Sequence, residues 1–251
     1  MGAKVPDWIC TYTGERFWPL AVGVGATITI EDIAHALASL VRFNGHTREP
    51  YTVAQHSVLV SLLCDPDDAL WGLLHDAAEA YMGEVVSPIK ATLPAFERAE
   101  TLLLKRIVTR FGLGWPMPWS VRQADAVLVA TEARDLIPPY GQVKREGYGD
   151  GTPDPKTIRP WGWQKAKATF LQRYAELRHD AVQQTADADR LRRAVRANRP
   201  LRLEVSFRDG EYVAEAFDRE TDEVVAASGK RSSDTDAKRE LNHMLATACG
   251  R

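Results

Sequence analysis

The chain has 251 residues, 45% of them hydrophobic and 26% charged, enough apolar material for one substantial core with a smaller unit beside it. Its 32 basic and 34 acidic side chains leave a formal net charge of -2, which excludes a global field toward nucleic acid or an anionic membrane, so any phosphate binding must be local. Three scattered cysteines, Cys10, Cys64 and Cys249, form no CxxC pair and suggest neither a disulfide framework nor a cysteine zinc site.

The first ten residues, MGAKVPDWIC, lack the apolar core of a signal peptide, and no later run reaches the length a membrane helix needs. The expectation is a cytoplasmic protein that does not enter the membrane. Residues 1–29 are rich in Trp, Pro, Gly and Thr, which suits an extended arm or small hairpin. Ile30, Ile33, Ala34, Leu37, Leu40 and Val41 then repeat at three and four behind Thr29, Glu31 and Asp32, predicting a capped helix. Further helices are predicted over Val53 to Leu63, Ala69 to Met82, Phe96 to Phe111 and Val121 to Leu136, with Gly and Pro residues punctuating them.

Residues 137–160 hold five prolines and four glycines and read as a long loop, either a functional lid or a mobile insertion. A helix resumes with Trp163, Ala166, Phe170 and Tyr174 on one stripe and continues in polar form toward Asn198. The tail changes kind. Leu201, Leu203, Val205 and Phe207 alternate with polar residues, Asp209 and Gly210 signal a turn, and two more strands over Tyr212 to Phe217 and Glu223 to Ala227 precede a closing helix. The fold class is therefore mainly α with a small C-terminal α+β unit, a three-stranded meander plus helix. The expected domains are 1–180 and 198–251, joined by a helical linker over 181–197.

The chemistry concentrates in the first domain. In WGLLHDAAEAY an imidazole and a carboxylate, His75 and Asp76, interrupt an apolar run, with Glu79 one helical turn beyond. Burying such a pair is costly, and metal coordination is one of few ways to offset the cost. His56, in YTVAQHSVLV, and Asp125, in RQADAVLV, are the same kind of anomaly; taken singly, His56 reads as a core histidine and Asp125 as a cap or ion pair.

The order AQHS (54–57), HDAAEAYMGEVVSPIK (75–90) and the AD of Ala124 and Asp125 resembles the HD superfamily of helical metallophosphohydrolases, closest to its small 5'-deoxynucleotidase branch. The resemblance covers residues 30–137 and implies an HD-type helical bundle in which His56, His75, Asp76 and Asp125 hold one divalent transition metal, Mn, Co, Fe or Zn, with Mg possible alongside the nucleotide. It implies that Glu79 orients or deprotonates the attacking water. Glu84 stands where the family has aspartate and is the candidate for leaving-group protonation. Arg42 and Phe43 match the family's arginine-aromatic pair, for phosphate and for base or sugar, with His46, Arg48 and Lys90 as further substrate contacts beside Asn44.

The activity so implied is hydrolysis of a deoxynucleoside 5'-monophosphate to nucleoside and phosphate. A rival within the fold is a deoxynucleoside triphosphate phosphohydrolase, which would need basic groups for the additional phosphates, with Arg42, Arg48, Lys90 and loop residues such as Lys144 and Arg145 as candidates. The resemblance also implies a homo-oligomer, a dimer. Glu132 and Asp135, with Arg134 between, read as a structural ion-pair network or as a wall of the nucleotide pocket. His35 reads as helix packing, and Trp115, Trp119, Trp161 and Trp163 as packing of the loop and late helix. A different class, nucleic-acid binding, rests on the faint similarity of the tail, around GKRSSDTDAKRE (229–240), to a double-stranded RNA binding domain; interleaved acids weaken it, and an interaction module is the favoured reading of the tail.

Overall fold

The computed structural model describes residues 7–21, 27–139, 151–197, 200–208, 211–219, 224–228 and 234–248, with the side chains of 180–185, 188, 196, 208, 234, 247 and 248 left out. Lys144, Arg145, Cys249 and the first part of the long loop lie outside the described residues. The chain is mainly helical with a small three-stranded antiparallel sheet toward its C-terminus, and it forms two compact units, Met1–Ala175 and Glu176–Arg251.

In the first unit, β1 (Ile9–Cys10) and β2 (Arg16–Phe17) form a short antiparallel hairpin with Ile9 opposite Phe17. α1 (Ile30–Ser39) starts at Thr29, whose hydroxyl accepts the Asp32 amide at 3.1 Å, and buries Ile33, Ala34, Leu37 and Ala38. The Asp32 carboxylate reaches out of this cap to the Thr13 amide (2.8 Å) and hydroxyl (3.0 Å), which fastens the hairpin to the helix. Phe17 is fully buried and stacks on Tyr81 at 4.0 Å.

Between α1 and the next helix the backbone bridges Val41 to Thr52 and pinches off a tight turn. Phe43, Asn44 and Gly45 there have φ of 55°, 50° and 75°, three left-handed residues in a row. Glycine takes this conformation freely and asparagine often, whereas for phenylalanine it costs about 1–2 kcal/mol that the surroundings must offset. α2 (Val53–Leu63) then begins at Thr52, whose hydroxyl accepts the Gln55 amide at 3.2 Å. Eight of its residues are buried, consistent with a central helix.

The expected single helix over Ala69 to Met82 is two: α3 (Ala69–Leu74) and α4 (Glu79–Met82). The cause is the His75 side chain, whose Nδ1 donates to the Gly72 carbonyl at 2.8 Å, the acceptor a continuing helix would give to the Asp76 amide. Contacts across the break are instead i to i+3: Ala77 N to Leu74 O and Glu79 N to Asp76 O, each 3.0 Å. α5 (Ser87–Lys90), α6 (Pro94–Arg110) and α7 (Trp119–Leu136) follow. α6 contributes Leu103, Leu104, Ile107 and Val108 to the core and α7 contributes Val121, Ala124, Leu128 and Leu136.

Residues 151–161 cross the unit as an extended strap. Gly151 lies against the α7 backbone so closely that a Cβ would sit 2.9 Å from Val127 Cα and N, which explains glycine there. Thr131 Oγ1 accepts the Asp154 amide (2.8 Å), Arg134 donates to the carbonyls of Asp154 (2.7 Å) and Lys156 (2.9 Å), and Asp135 accepts the Ile158 amide (2.8 Å). Gln55 of α2 finishes the job, donating to Arg159 O at 2.9 Å and accepting Trp161 N at 2.7 Å. α8 (Trp163–Arg196) starts there, and its early residues Ala166 and Phe170 are fully buried.

The second unit takes the later part of α8, then β3 (Leu201–Arg208), β4 (Glu211–Asp218), β5 (Val224–Ala227) and α9 (Asp234–Ala248). The sheet order is β3-β4-β5, antiparallel throughout, with a register irregularity between Ala216 and Phe217. Its core joins Leu191 and Ala194 of α8 to Ala214, Ala216, Val225 and Ala226 of the sheet and Ala237 and Leu241 of α9. Among the described residues no helix is long and apolar enough to cross a membrane.

Candidate metal centre

Three helical segments converge in the first unit. α2 brings His56, the break after α3 brings His75 and Asp76, and α7 brings Asp125. The Nε2 atoms of His56 and His75 lie 3.2 Å apart, Asp125 Oδ1 is 3.2 Å from His56 Nε2, and Asp76 Oδ2 is 3.5 and 3.2 Å from the two Nε2 atoms. His56 and His75 are buried, whereas the Asp76 and Asp125 side chains reach toward solvent at 21% and 41% exposure. Donor atoms of His56, His75 and Asp125 fall within 4.8 Å of one another, a set that fits one metal ion.

The ring tautomers carry this further. His75 Nδ1 faces the Gly72 carbonyl, a pure acceptor, so Nδ1 holds a hydrogen and, in the neutral ring, Nε2 presents a lone pair. His56 Nδ1 faces Glu132 Oε1 at 2.7 Å and is fixed the same way. Two lone pairs and two carboxylates thus point at one spot, and they repel unless positive charge stands between them. A proton or a metal cation meets that need.

The protonation pattern shows the same demand. Against burial and the nearby Arg42, which disfavour its charge, the Glu132 and Asp125 carboxylates push the His56 imidazole up to about 9. Burial also opposes charge on His75, yet Asp76 raises it. Asp76 lies well below the carboxylate range despite its own burial, because His75, His56 and Arg42 surround it, and Asp125 is lowered beside His56.

Glu79 stands one turn beyond Asp76. Burial, the Asp76 charge and the adjoining Glu84 carboxyl together push it up to about 12. Glu79 Oε2 and Glu84 Oε2 are both buried with no hydrogen-bond partner, a pair of acceptors that calls for a shared proton or a bound donor. Lys90 Nζ lies 3.8 Å from Glu79 Oε1 and donates to Glu100 at 2.9 Å.

The other sequence-predicted residues divide. Arg42 is at the centre but buried: its Nε and Nη2 meet Glu132 Oε2 at 3.2 and 3.1 Å, and Nη1 is 3.6 Å from Asp76 Oδ2. Burial opposes its charge, yet Glu132 and then Asp76 hold it above its ordinary value. Phe43 is half-buried with its ring 5.4 Å from the Arg42 guanidinium. His46 and Arg48 are exposed on the same loop, the Arg48 amide bonding to Leu136 O at 3.2 Å.

No protein-family model matches the chain. It is 39% identical over 130 residues to the uncharacterized protein YfdR of Escherichia coli (strain K12), an alignment covering 52% of this chain and 72% of YfdR. It is also 34% identical over 146 residues to the uncharacterized protein RCAP_rcc00048 of Rhodobacter capsulatus, covering 53% of this chain and 74% of that one. This chain belongs to the YfdR family.

In this YfdR-family chain the residue that sequence reasoning missed is Glu132. It reads from sequence as part of a network with Arg134 and Asp135; the structure gives Arg134 to Asp135 and the strap, and Glu132, fully buried, to His56 and Arg42. The signal was present as helical arithmetic, since Glu132 is two turns from Asp125 on one face of α7. His35 packs as expected, stacked on Tyr12 at 3.8 Å and edge-on to Trp163 at 6.0 Å. Trp119 does not pack as expected: it is 71% exposed at the start of α7.

Proposed function

We propose that this chain is an HD-type metal-dependent phosphohydrolase that converts a deoxynucleoside 5'-monophosphate to nucleoside and phosphate. The observation that supports it most is the convergence of two tautomer-fixed imidazole nitrogens and two carboxylates at one place on three helical segments. His56, His75, Asp76 and Asp125 would hold one divalent ion, Mn, Co, Fe or Zn. When bound, that ion supplies Lewis acidity toward a phosphoryl oxygen and water and takes up the Asp76 charge that pushes Glu79 upward.

The chain's own groups account for the rest of the reaction. Glu79 orients the attacking water through its unpartnered Oε2 and takes a proton from it, and Glu84, sharing that carboxyl pair, returns one to the leaving oxygen. The new bond joins water oxygen to phosphorus and the bond from phosphorus to the leaving oxygen breaks. Arg42 and Lys90 balance the negative charge on phosphate, and Phe43 offers a face to base or sugar. Arg42 lies 3.6 Å from Asp76 and Lys90 3.8 Å from Glu79, so both cations border the acidic cluster where one phosphate would sit.

The test is metal analysis of the purified protein followed by incubation with deoxynucleoside mono-, di- and triphosphates in Mn or Co. Phosphate release from the monophosphate, abolished by chelator, is the expected outcome. Tripolyphosphate release from the triphosphate would replace the monophosphate assignment. Absence of metal and of any turnover would overturn the proposal as a whole.

A further inference from the structure

We propose that Glu132 is a positioning residue that fixes, with one carboxylate, both the metal-facing nitrogen of His56 and the anion-facing edge of Arg42. The inference rests on the reading of the four-residue cluster as a metal site and goes beyond it, because Glu132 itself touches no ligand position.

Each Glu132 oxygen has its own client. Oε1 accepts His56 Nδ1–H at 2.7 Å, and Oε2 accepts Arg42 Nε–H at 3.2 Å and Nη2–H at 3.1 Å. The carboxylate has no solvent exposure, so water does not compete for these bonds, and the buried Tyr51 hydroxyl also faces it. Because a carboxylate only accepts, Glu132 keeps a hydrogen on His56 Nδ1, so that the neutral ring has its lone pair on Nε2, beside His75, Asp76 and Asp125. With Nε and Nη2 tied down, the remaining edge of Arg42 is Nη1, 3.6 Å from Asp76 Oδ2 and therefore beside the centre where an anion would sit.

The two histidines differ in how they are held. His75 is set by a backbone carbonyl, that of Gly72, which no substitution removes. His56 depends on a side chain, and that side chain also serves the arginine. Glutamine at 132 cannot replace it. With the amide oxygen toward His56, the NH2 group meets the donors of Arg42. With the amide flipped, the NH2 group meets Nδ1, which must then become an acceptor, and the hydrogen moves to Nε2 and blocks coordination. Either orientation loses one client.

The experiment compares wild type, Glu132→Gln and Glu132→Asp as full-length protein titrated with Co(II), reading affinity and the visible absorption spectrum, with circular dichroism as the check on folding. Inorganic phosphate binding to the Zn-loaded proteins is measured alongside. Glu132→Gln should bind Co(II) about 10- to 100-fold more weakly with an altered spectrum, or bind phosphate more weakly, while keeping its fold. Glu132→Asp keeps two acceptor oxygens and should recover part of the loss. Glu132→Gln with wild-type Co(II) affinity, spectrum and phosphate binding would overturn the inference. If Glu132→Gln does not fold, nitrogen NMR of His56 in wild-type Zn-loaded protein decides it: hydrogen on Nδ1 supports the inference, hydrogen on Nε2 overturns it. Wild-type protein that binds neither Co(II) nor Zn would instead bring down the metal-site reading, and this inference with it.

Discussion

Gly72 tests how the packing of α2 against α3 sets the metal centre. Its carbonyl holds His75, and its α-carbon faces α2: a Cβ there would lie 2.9 Å from Cys64 Sγ, 3.0 Å from Ser61 Cα and 3.1 Å from Ser61 N. Ordinary contact begins near 3.5 Å, so Gly72→Ala must part the helices by about 0.5 Å. Overpacking of this kind costs about 1–3 kcal/mol. Alanine returns about 1 kcal/mol of helix propensity over glycine, so the net loss should be roughly 0–2 kcal/mol. The geometric effect is larger than the energetic one. His56 lies on α2 and His75 directly follows α3, and a metal site tolerates distance errors of about 0.2 Å. Gly72→Ala should therefore weaken Co(II) binding without altering any ligand. The assay is a urea unfolding midpoint together with a Co(II) titration. Adding Cys64→Ala removes the sulfur contact but leaves both Ser61 backbone contacts, so it should restore only part of the stability. An unchanged midpoint and unchanged Co(II) affinity in Gly72→Ala, or complete rescue by Cys64→Ala, would refute the reasoning.

Other expectations follow from single contacts. Asp32→Ala removes three hydrogen bonds, to Thr13 N, Thr13 Oγ1 and Thr29 Oγ1, and should cost about 2–3 kcal/mol and expose the N-terminal hairpin to protease, measured by thermal melt and limited proteolysis. Gln55→Leu strands Arg159 O and Trp161 N, and cleavage within 151–161 should accelerate at least several-fold; a strap as resistant as wild type would contradict its tethering by Gln55. Burial and then Asp68 push the Cys64 thiol from 9.0 up to about 11, so at pH 8 a disulfide reagent should modify exposed Cys10 ahead of Cys64, as mapped by peptide mass spectrometry. Because the raised value belongs to the folded state, the Cys64 contribution to stability is intact below pH 9 and is lost as pH rises through about 11; Cys64→Ala should flatten that alkaline decline.

The helices were legible because local chemistry and burial agree in them. Thr29 caps where its spacing says it should, and the apolar stripe behind it is buried. The candidate ligands were legible as contradictions, an imidazole or carboxylate set in apolar sequence. The break after Leu74 was not, because it depends on a side chain taking a backbone acceptor, and periodicity carries no information about that competition. The burial of Arg42 was hidden for a related reason. Its environment is supplied by Glu132, 90 positions away, and only folding brings the two together.

The strap over residues 151–161 is gripped by its main chain: Asp154 N and O, Lys156 O, Ile158 N, Arg159 O and Trp161 N make the bonds, while Gln55, Thr131, Arg134 and Asp135 supply the side chains. Apart from Gly151, which must pass close to α7, its route across the domain is thus written mainly in the residues beneath it. Evolution is then free to exchange most of the strap's side chains, retuning the surface it presents, while the four residues that hold it must stay as they are.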